Sequence, residues 1–171
     1  LLDIAHYKRK SLKGTFIAIT GSNGKTTTKE ILVAIMGSSR KVHFNEKNFN
    51  NLIGVSKSIL AVKENPEMLI FELGTNSKGE IRQLAKMTEP DVSLITNINP
   101  SHLEGLNDLD GVFEEKVDLF RYTKQEGHVL VNADDPSLFP RYQDAGHVPH
   151  TFGMRDDADF QLLIREDLGW E

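Results

Sequence analysis

The sequence contains no cysteine, no excess of basic residues and no long apolar run. Without cysteine, disulfides, zinc fingers, iron–sulfur clusters and thiol catalysis are excluded. There are 20 lysines and arginines against 25 aspartates and glutamates, and the resulting net charge of −5 argues against a non-specific nucleic-acid binder. No apolar run approaches the roughly 18 residues of a membrane-spanning helix. Because the first residues also lack a signal-peptide pattern, we expect a cytoplasmic protein.

The length and composition predict one globular domain. The 171 residues are 39% hydrophobic and 26% charged, which suits a soluble domain with an ordinary buried core. The chain starts without methionine and stops inside what reads as ordered structure. We therefore expect residues 1–171 to be a single domain cut from a longer protein.

Short apolar runs alternate with helical patterns along the chain, which predicts a doubly wound α/β fold with a mostly parallel sheet and helices on both faces. The predicted strands are Phe16–Ile19, Lys41–Phe44, Met68–Phe71, Val92–Ile95 and His128–Val131, with extra strands over Val148–Phe152 and Asp159–Arg165. The predicted helices are Thr26–Met36, Gly54–Val62, Lys78–Met87, Asp108–Tyr122 and Pro136–Gln143. Ligands of such sheets bind beyond the carboxyl ends of the strands, so the segments that follow the strands are the candidate site.

The segment after the first strand has the pattern of a phosphate-binding loop. It reads Thr20-Gly21-Ser22-Asn23-Gly24-Lys25-Thr26-Thr27-Thr28, a G-x-x-G-K-T form in which Ile19 stands where the usual loop has its first glycine. Glycines let backbone N–H groups approach phosphate oxygens. Lys25 would reach the β- and γ-phosphates, and the Thr26 hydroxyl would bind Mg²⁺. The alternative is a glycine-rich turn with a chance Lys-Thr.

Glu72 ends a run of apolar residues at another strand end. Burying an unpaired carboxylate is costly, and Mg²⁺ prefers oxygen ligands, so Glu72 is predicted as a second magnesium ligand beside Thr26. The alternative is an exposed glutamate at the end of the strand.

His102, one of six histidines, follows a third strand within Pro100-Ser101-His102. Its position beyond a strand end makes it a candidate site residue, although a structural or solvated histidine is equally compatible with the pattern. Histidine is a poor lone ligand for Mg²⁺, so other groups would have to supply oxygen atoms.

Lys116 lies on the inward stripe that Phe113, Val117 and Phe120 mark on their helix. The same pattern places Glu114, Glu115 and Asp118 on the outer faces. A lysine among inward aromatic residues either extends its amine to an edge or is held with a lowered pKa. The pattern alone favours the first interpretation. In the second, a neutral amine could react with carbon dioxide to form a carbamate.

A polar loop, Asn45-Glu46-Lys47-Asn48-Phe49-Asn50-Asn51, precedes a helix that starts near Gly54. The loop could supply caps and turn residues, or amide donors that face a phosphate or metal. Composition does not separate these two interpretations.

Together these motifs resemble the central ATP-binding domain of the Mur ligases, which form amide bonds in bacterial peptidoglycan synthesis. The resemblance runs from Ile17 to about Asp135 and is strongest to the branch that adds D-alanyl-D-alanine to UDP-N-acetylmuramoyl-tripeptide. Its matching segments are Ile19–Glu30, Asn48–Val55, Glu72–Gly74 with Lys78–Ile81, Leu94–Ile98 with His102–Gly105, and Asn132–Asp135.

The resemblance implies a role for each candidate residue. The triphosphate of ATP would be held by Gly21, Ser22, Asn23, Gly24, Lys25, Thr26 and Thr27. One Mg²⁺ would be bound by Thr26 and Glu72, and a second by Glu72, His102 and a carbamylated Lys116. The resemblance thus favours a modified Lys116 over one that extends to an edge. Asn51 or a neighbour would contact phosphates, and Asn132 would contact adenine.

The implied reaction is ATP-dependent amide synthesis through an acyl phosphate. A three-domain enzyme would also need an N-terminal domain for the UDP-linked substrate and a C-terminal domain that closes over ATP, so this fragment alone is expected to be inactive. The expected partners are UDP-N-acetylmuramoyl-tripeptide and D-alanyl-D-alanine, with no nucleic acid, no membrane span and a monomeric state. The alternatives are another Mur-type or folylpolyglutamate-type ligase, a small-molecule kinase with the same loop, and a non-catalytic nucleotide-binding module.

Overall fold

A seven-stranded parallel sheet forms the centre of this computed structural model, which describes residues 1–46, 48–101, 103–142 and 146–163. The strands are β1 (Thr15–Thr20), β2 (Val42–Phe44), β3 (Met68–Glu72), β4 (Val92–Ile95), β5 (His128–Asn132), β6 (His150–Gly153) and β7 (Phe160–Gln161), in the spatial order β2-β3-β1-β4-β5-β6-β7. The helices are α1 (Leu2–Ser11), α2 (Lys25–Gly37), α3 (Leu52–Leu60), α4 (Glu80–Thr88), α5 (Leu103–Leu106) and α6 (Leu109–Arg121). The doubly wound fold is confirmed.

The register of β1 aligns the strand ends that carry the candidate residues. Ile19 of β1 is opposite Glu72 of β3, and Thr20 is opposite Ile95 of β4. Since all strands are parallel, their carboxyl ends meet at one edge of the sheet. The loop after β1 and the carboxylate at the end of β3 are therefore neighbours, as the sequence predicted.

Apolar residues cover both faces of the sheet around β1 and β3. Phe16, Ala18 and Phe71 belong to a core that also includes residues of α1, α3, α4 and α6. Ile17, Ile19 and Ile70 point to the other face, where residues of α2 pack on them. This two-sided burial explains the near-continuous apolar runs of these strands. No helix in the described part of the chain has the length and hydropathy needed to cross a membrane.

Three parts of the described fold differ from the sequence prediction, since the short helix α5 was also not expected. Helix α1 is not among the predicted helices; its Ala5 packs into the main core. Conversely, residues 136–141 form turns instead of the predicted helix Pro136–Gln143, whose last residue lies outside the described residues. Asp135 accepts hydrogen bonds from the N–H groups of Ser137 and Leu138, but Pro140 has no N–H to continue a helical ladder.

Candidate functional site

The loop between β1 and α2 has the backbone that its glycines predict. Gly21 has a φ of +149°, and a Cβ atom there would lie 1.9 Å from Thr96 Oγ1. Gly24, the residue before α2, has a left-handed φ of +79°. The Ser22 N–H donates to the Asn97 carbonyl oxygen at 2.9 Å, which fixes the loop against the segment that follows β4. Only glycine fits these conformations without strain, so the loop geometry follows directly from the motif.

Lys25 begins α2 and directs its ammonium back over the loop. Its Nζ donates to the carbonyl oxygens of Gly21 at 2.8 Å and Ser22 at 3.2 Å. Burial lowers the pKa of Lys25, while the negative charge of Glu72 acts in the opposite direction. The ammonium is therefore held at the mouth of the loop, where an anionic ligand would replace the weaker carbonyl contacts.

Glu72 lies beside the loop, at the carboxyl end of β3, and is 2% exposed. The Thr26 hydroxyl donates to its Oε2 at 2.7 Å, and Asn50 Nδ2 donates to its Oε1 at 2.8 Å. The prediction that Glu72 and Thr26 are adjacent is confirmed, and the alternative of an exposed strand-end glutamate is wrong. A hydroxyl and a carboxylate oxygen side by side are the oxygen ligands that Mg²⁺ prefers.

The side chain of Asn45, which is fully buried, holds the backbone of Glu72. Its Oδ1 accepts from the Glu72 N–H at 2.8 Å and its Nδ2 donates to the Glu72 carbonyl at 2.8 Å. The Asn45 carbonyl in turn accepts from the buried Nζ of Lys29 at 2.8 Å. The polar loop after β2 therefore supplies amide groups to the site, which composition alone left open.

Lys116 on α6 is only 2% exposed, so almost all of its side chain is buried. The pKa of Lys116 is lowered to about 8, because burial and the positive charge of Lys25 both lower it and the negative charge of Glu115 opposes them only in part. No hydrogen bond or ion pair joins Lys116 to another of the described residues. Of the two interpretations, the structure favours the buried amine with a lowered pKa and contradicts the one that the helical pattern alone supported.

Two carboxylates of α6 are buried although the sequence pattern predicted them on exposed faces of the helix. Glu115 and Asp118 were expected on outer faces, but they are 2% and 3% exposed. The Asp118 carboxylate pairs with Arg82 at 3.0 Å, and Glu115 accepts hydrogen bonds from the start of α4. The sequence held a signal for this second buried face, because the apolar residues Val112 and Leu119 lie seven positions apart, on either side of Glu115. Both are fully buried in the structure.

The remaining amide candidates have defined contacts. Asn51 caps α3, because its Oδ1 accepts from the Gly54 N–H at 2.8 Å, while its neighbour Asn50 reaches Glu72. Asn132 Nδ2 donates to the Thr96 carbonyl at 2.9 Å. It lies near an open cavity of about 400 Å³ beside the phosphate loop, which is lined by Asn23, Gly24, Thr28, Leu94, Thr96, Asn97, Leu130 and Phe152. The contacts of Asn51 with phosphate and of Asn132 with adenine stay predictions.

His102 lies outside the described residues. Within residues 1–46, 48–101, 103–142 and 146–163, no group of three or more histidines and carboxylates is placed to hold a metal ion. Among the described residues, the Thr26 hydroxyl and the Glu72 carboxylate are adjacent oxygen groups that could share a cation. Lys116 lies near enough to Lys25 to feel its positive charge, so a protonated Lys116 places a second positive charge there.

Comparison with known proteins assigns the family. Residues 19–167 match the Mur ligase middle domain family. UDP-N-acetylmuramoyl-tripeptide–D-alanyl-D-alanine ligase of Bacillus subtilis (strain 168) is 38% identical over 162 residues, which are 95% of this chain and 35% of that protein. A crystal structure of MurF from Acinetobacter baumannii superposes with a TM-score of 0.85 at 31% identity, covering 89% of this chain and 34% of that one.

A second solved structure, MurF ligase from Thermotoga maritima in complex with ADP, superposes with a TM-score of 0.83 at 31% identity. It covers 90% of this chain and 36% of that chain. The chain thus spans about a third of the length of these relatives. The family match covers most of the chain and includes the phosphate loop, Glu72 and Lys116. The chain therefore belongs to the Mur ligase family, whose middle domain it contains.

Proposed function

We propose that this chain binds ATP and provides the phosphoryl-transfer site of an amide-forming ligase. The observation that carries the proposal is the contact of 2.7 Å between Thr26 and Glu72, at the mouth of a loop that also holds the Lys25 ammonium. The loop offers backbone N–H groups and a cation to phosphates, and the threonine–glutamate pair offers oxygen atoms to a metal ion. The Thermotoga relative was crystallised with ADP, which agrees with a nucleotide at this loop.

The proposed reaction has two steps. A substrate carboxylate oxygen attacks the γ-phosphorus of ATP, the bond to the β–γ bridging oxygen breaks, and ADP leaves. An amine then attacks the carbon of the acyl phosphate, loses a proton and displaces inorganic phosphate. Lys25 would stabilise the negative charge on the transferred phosphoryl group, and the loop would hold the nucleotide in line. Bound Mg²⁺ would neutralise phosphate charge and orient the phosphate oxygens.

Thr26 and Glu72 are proposed to hold one Mg²⁺, and Glu72 with His102 and a modified Lys116 a second. The buried Lys116 amine has a pKa of about 8, so a substantial fraction is neutral at physiological pH. A neutral amine can bond to the carbon of carbon dioxide and lose a proton, and the carbamate would present oxygen atoms. This change would also turn a positive charge beside Lys25 into a negative one.

The substrates are proposed from the relatives. The Bacillus subtilis protein is named as a ligase of UDP-N-acetylmuramoyl-tripeptide and D-alanyl-D-alanine, and we propose the same two substrates for the enzyme that contains this chain. This chain would supply ATP and metal binding. We propose that other domains of a three-domain ligase bind the UDP-linked substrate and close over ATP. The enzyme would act in the cytoplasm, where ATP and such precursors occur.

A calorimetric titration with Mg²⁺ and a non-hydrolysable ATP analogue tests nucleotide binding by this chain. We expect Lys25→Ala to weaken binding at least tenfold, because it removes the cation at the loop. The matched control is Lys63→Ala, which removes an exposed lysine far from the loop in the sequence. Equal binding by wild type and Lys25→Ala would contradict the proposal. Binding by neither protein would be followed by the same titration on the longer enzyme, where a second failure would also contradict it.

A kinase with the same loop would need no modified Lys116. We expect intact-mass measurement in bicarbonate buffer to show a shift of one carbon dioxide that Lys116→Met abolishes. A non-catalytic module predicts that Glu72→Ala leaves ligase turnover by the longer enzyme unchanged. Persistence of full turnover in that variant would therefore contradict the proposal that this chain provides the phosphoryl-transfer site.

A further inference from the structure

The carboxylate of Glu115 is buried against the segment that connects β3 to α4. Its Oε1 accepts from the Ile81 N–H at 2.8 Å, and its Oε2 accepts from the Gly79 N–H at 2.5 Å. The Thr75 hydroxyl lies 3.0 Å from Oε1 and shares its one hydrogen between this atom, the Ser77 carbonyl oxygen at 2.8 Å and Glu80 Oε2 at 3.3 Å. Only 2% of the residue is exposed. A buried carboxylate that accepts two backbone hydrogen bonds and a share of a third from a hydroxyl fixes its partners firmly, because charge-assisted bonds are short and strong.

These partners form the beginning of α4 and the turn before it. Gly79, the residue that precedes the helix, has a left-handed φ of +89° and provides no side-chain cap. The first N–H groups of a helix have no partner within it, and Glu115 supplies one for Ile81 from a different helix. Glu115 of α6 thus caps the start of α4 and joins the two helices, while Glu80 of α4 accepts from the Asn76 and Ser77 N–H groups in the turn before the helix.

The same contacts join the two sides of the proposed site. Thr75 follows Glu72 by three residues, on the segment that leaves β3 at the site. Glu115 directly precedes Lys116 on α6, a helix of 13 residues. Fixing the Glu115 carboxylate thus fixes the rotation and height of α6 relative to the segment after Glu72.

We propose that Glu115 is a positioning residue that holds the Lys116 amine in place relative to Glu72. This inference rests on the proposed function, since it assigns Glu115 a role in the reaction carried out at Glu72 and Lys116. Glu115 acts through these residues and touches neither nucleotide nor substrate. Its removal should lower the rate of the chemical step and leave nucleotide binding at the Lys25 loop intact.

Asp118 provides a matched control on the same helix. It is 3% exposed and also joins α6 to α4, but through the side chain of Arg82 at 3.0 Å. It also pairs with Arg121 on its own helix at 3.3 Å. No bond in the described part of the chain joins Asp118 to the turn before α4. Loss of Asp118 therefore removes a buried carboxylate and a helix–helix contact, but does not release the segment after Glu72.

The experiment compares Glu115→Gln with Asp118→Asn in the longer enzyme that contains this chain. Glutamine keeps the length of the side chain but directs an NH₂ group at one of the N–H donors. We expect kcat to fall about 10–100-fold in Glu115→Gln, the range typical of residues that orient metal ligands, with the Kd of an ATP analogue within about threefold of wild type. Asp118→Asn should keep kcat within about threefold, measured at a temperature where melting curves show both variants folded.

Two variants of Thr75 test the same contact without altering the buried charge. Thr75→Val removes the hydroxyl that lies 3.0 Å from Glu115 Oε1 and 2.8 Å from the Ser77 carbonyl oxygen, and it should lower kcat about three- to tenfold. Thr75→Ser keeps the hydroxyl and should restore kcat to near the wild-type value. This pair keeps the proposal testable if Glu115→Gln does not fold.

The outcomes separate the two levels of the proposal. If the wild-type enzyme has no ATP-dependent ligase activity, the proposed function fails and this inference fails with it. If the wild type is active but Glu115→Gln and Asp118→Asn have equal kcat values, or Thr75→Val matches Thr75→Ser, only the positioning role is overturned. An equal rise in the ATP-analogue Kd of both α6 variants would also overturn it.

Discussion

Two buried cations at opposite ends of the sheet show how differently one fold can treat a charge. Near the amino end, Arg9 of α1 is 4% exposed, and its guanidinium donates to the Thr88 carbonyl at 2.6 Å and to Asp91 Oδ2 at 3.3 Å. It also lies 4.9 Å from the centre of the Phe16 ring. Near the phosphate loop, Lys116 is 2% exposed and has another cation, Lys25, as its neighbour.

The difference lies in what surrounds each charge. Burial lowers the pKa of both groups, but at Arg9 the negative charges of Asp91 and Glu89 oppose that shift. At Lys116 burial and Lys25 act together, and only Glu115 opposes them. Burial with carbonyl and carboxylate partners makes Arg9 part of the scaffold. Burial beside a like charge favours the neutral amine of Lys116, which is the form that the proposed reaction with carbon dioxide requires.

The largest expected effect is at the carboxyl end of the sheet. Glu72→Gln should lower ligase turnover by the longer enzyme about 10³-fold, because it removes the charge of the carboxylate that we propose as a metal ligand beside Thr26. Steady-state phosphate release measures this effect. Glu64→Gln, which changes a glutamate whose side chain is 80% exposed, is the control and should retain full turnover. Equal activity of the two variants would mean that the buried carboxylate belongs to the scaffold, as Arg9 does.

The next effect concerns the protonation of Lys116. With a pKa of about 8, roughly a quarter of its amines are neutral at pH 7.5, against about 0.1% for an ordinary lysine. The neutral fraction should rise as the pH rises through about 8. An NMR titration of ¹³Cε-labelled lysines in carbon dioxide-free buffer measures it, and Lys25→Ala should raise the midpoint because it removes the neighbouring positive charge. A titration midpoint near pH 10.4 would show that Lys116 behaves as an ordinary lysine, and it would contradict the contrast drawn with Arg9.

Arg9→Met tests the scaffold end. The substitution keeps an apolar stem but leaves carbonyl groups of Thr88 and Glu89 without this donor, so we expect a loss of about 2–3 kcal/mol in the free energy of unfolding. Denaturant unfolding of the chain measures this loss. Lys10→Met, on the adjacent exposed residue, should change it by less than about 0.5 kcal/mol. Similar values for both variants would show that the buried guanidinium adds no stability.

The smallest expected effect is at a neutral polar group. Asn51→Ala removes the cap of α3 and should lower the free energy of unfolding by about 1 kcal/mol. Asn51→Asp keeps a capping oxygen and should retain most of the wild-type stability. The same variants sharpen the assignment of the polar loop. If Asn51→Ala leaves the Kd of an ATP analogue unchanged, the cap is its whole role; a weaker Kd would support the predicted phosphate contact.

The strands around the site and the phosphate loop were predictable because their signals are local. Apolar runs gave β1, β3, β4 and β5, and four of the predicted helices have bounds within about two residues of those in the structure. The contact between Thr26 and Glu72 was also predictable, since parallel strand ends share one edge of a sheet. The predicted helix after Asp135 was wrong, because the local helical pattern gave too little weight to Pro140.

The sequence by itself determined the phosphate loop, since the conformations of Gly21 and Gly24 depend on the absence of a side chain at those positions. Only the tertiary structure decided the state of Lys116 and the burial of Glu115. The pKa of an amine and the free-energy cost of burying a carboxylate depend on the groups that surround them. Here those groups come from α2, the segment between β3 and α4, and α4, which are distant in sequence from α6. A helical pattern identifies which residues share a face, but the packed neighbours determine whether a charge on that face is exposed, bonded or reactive.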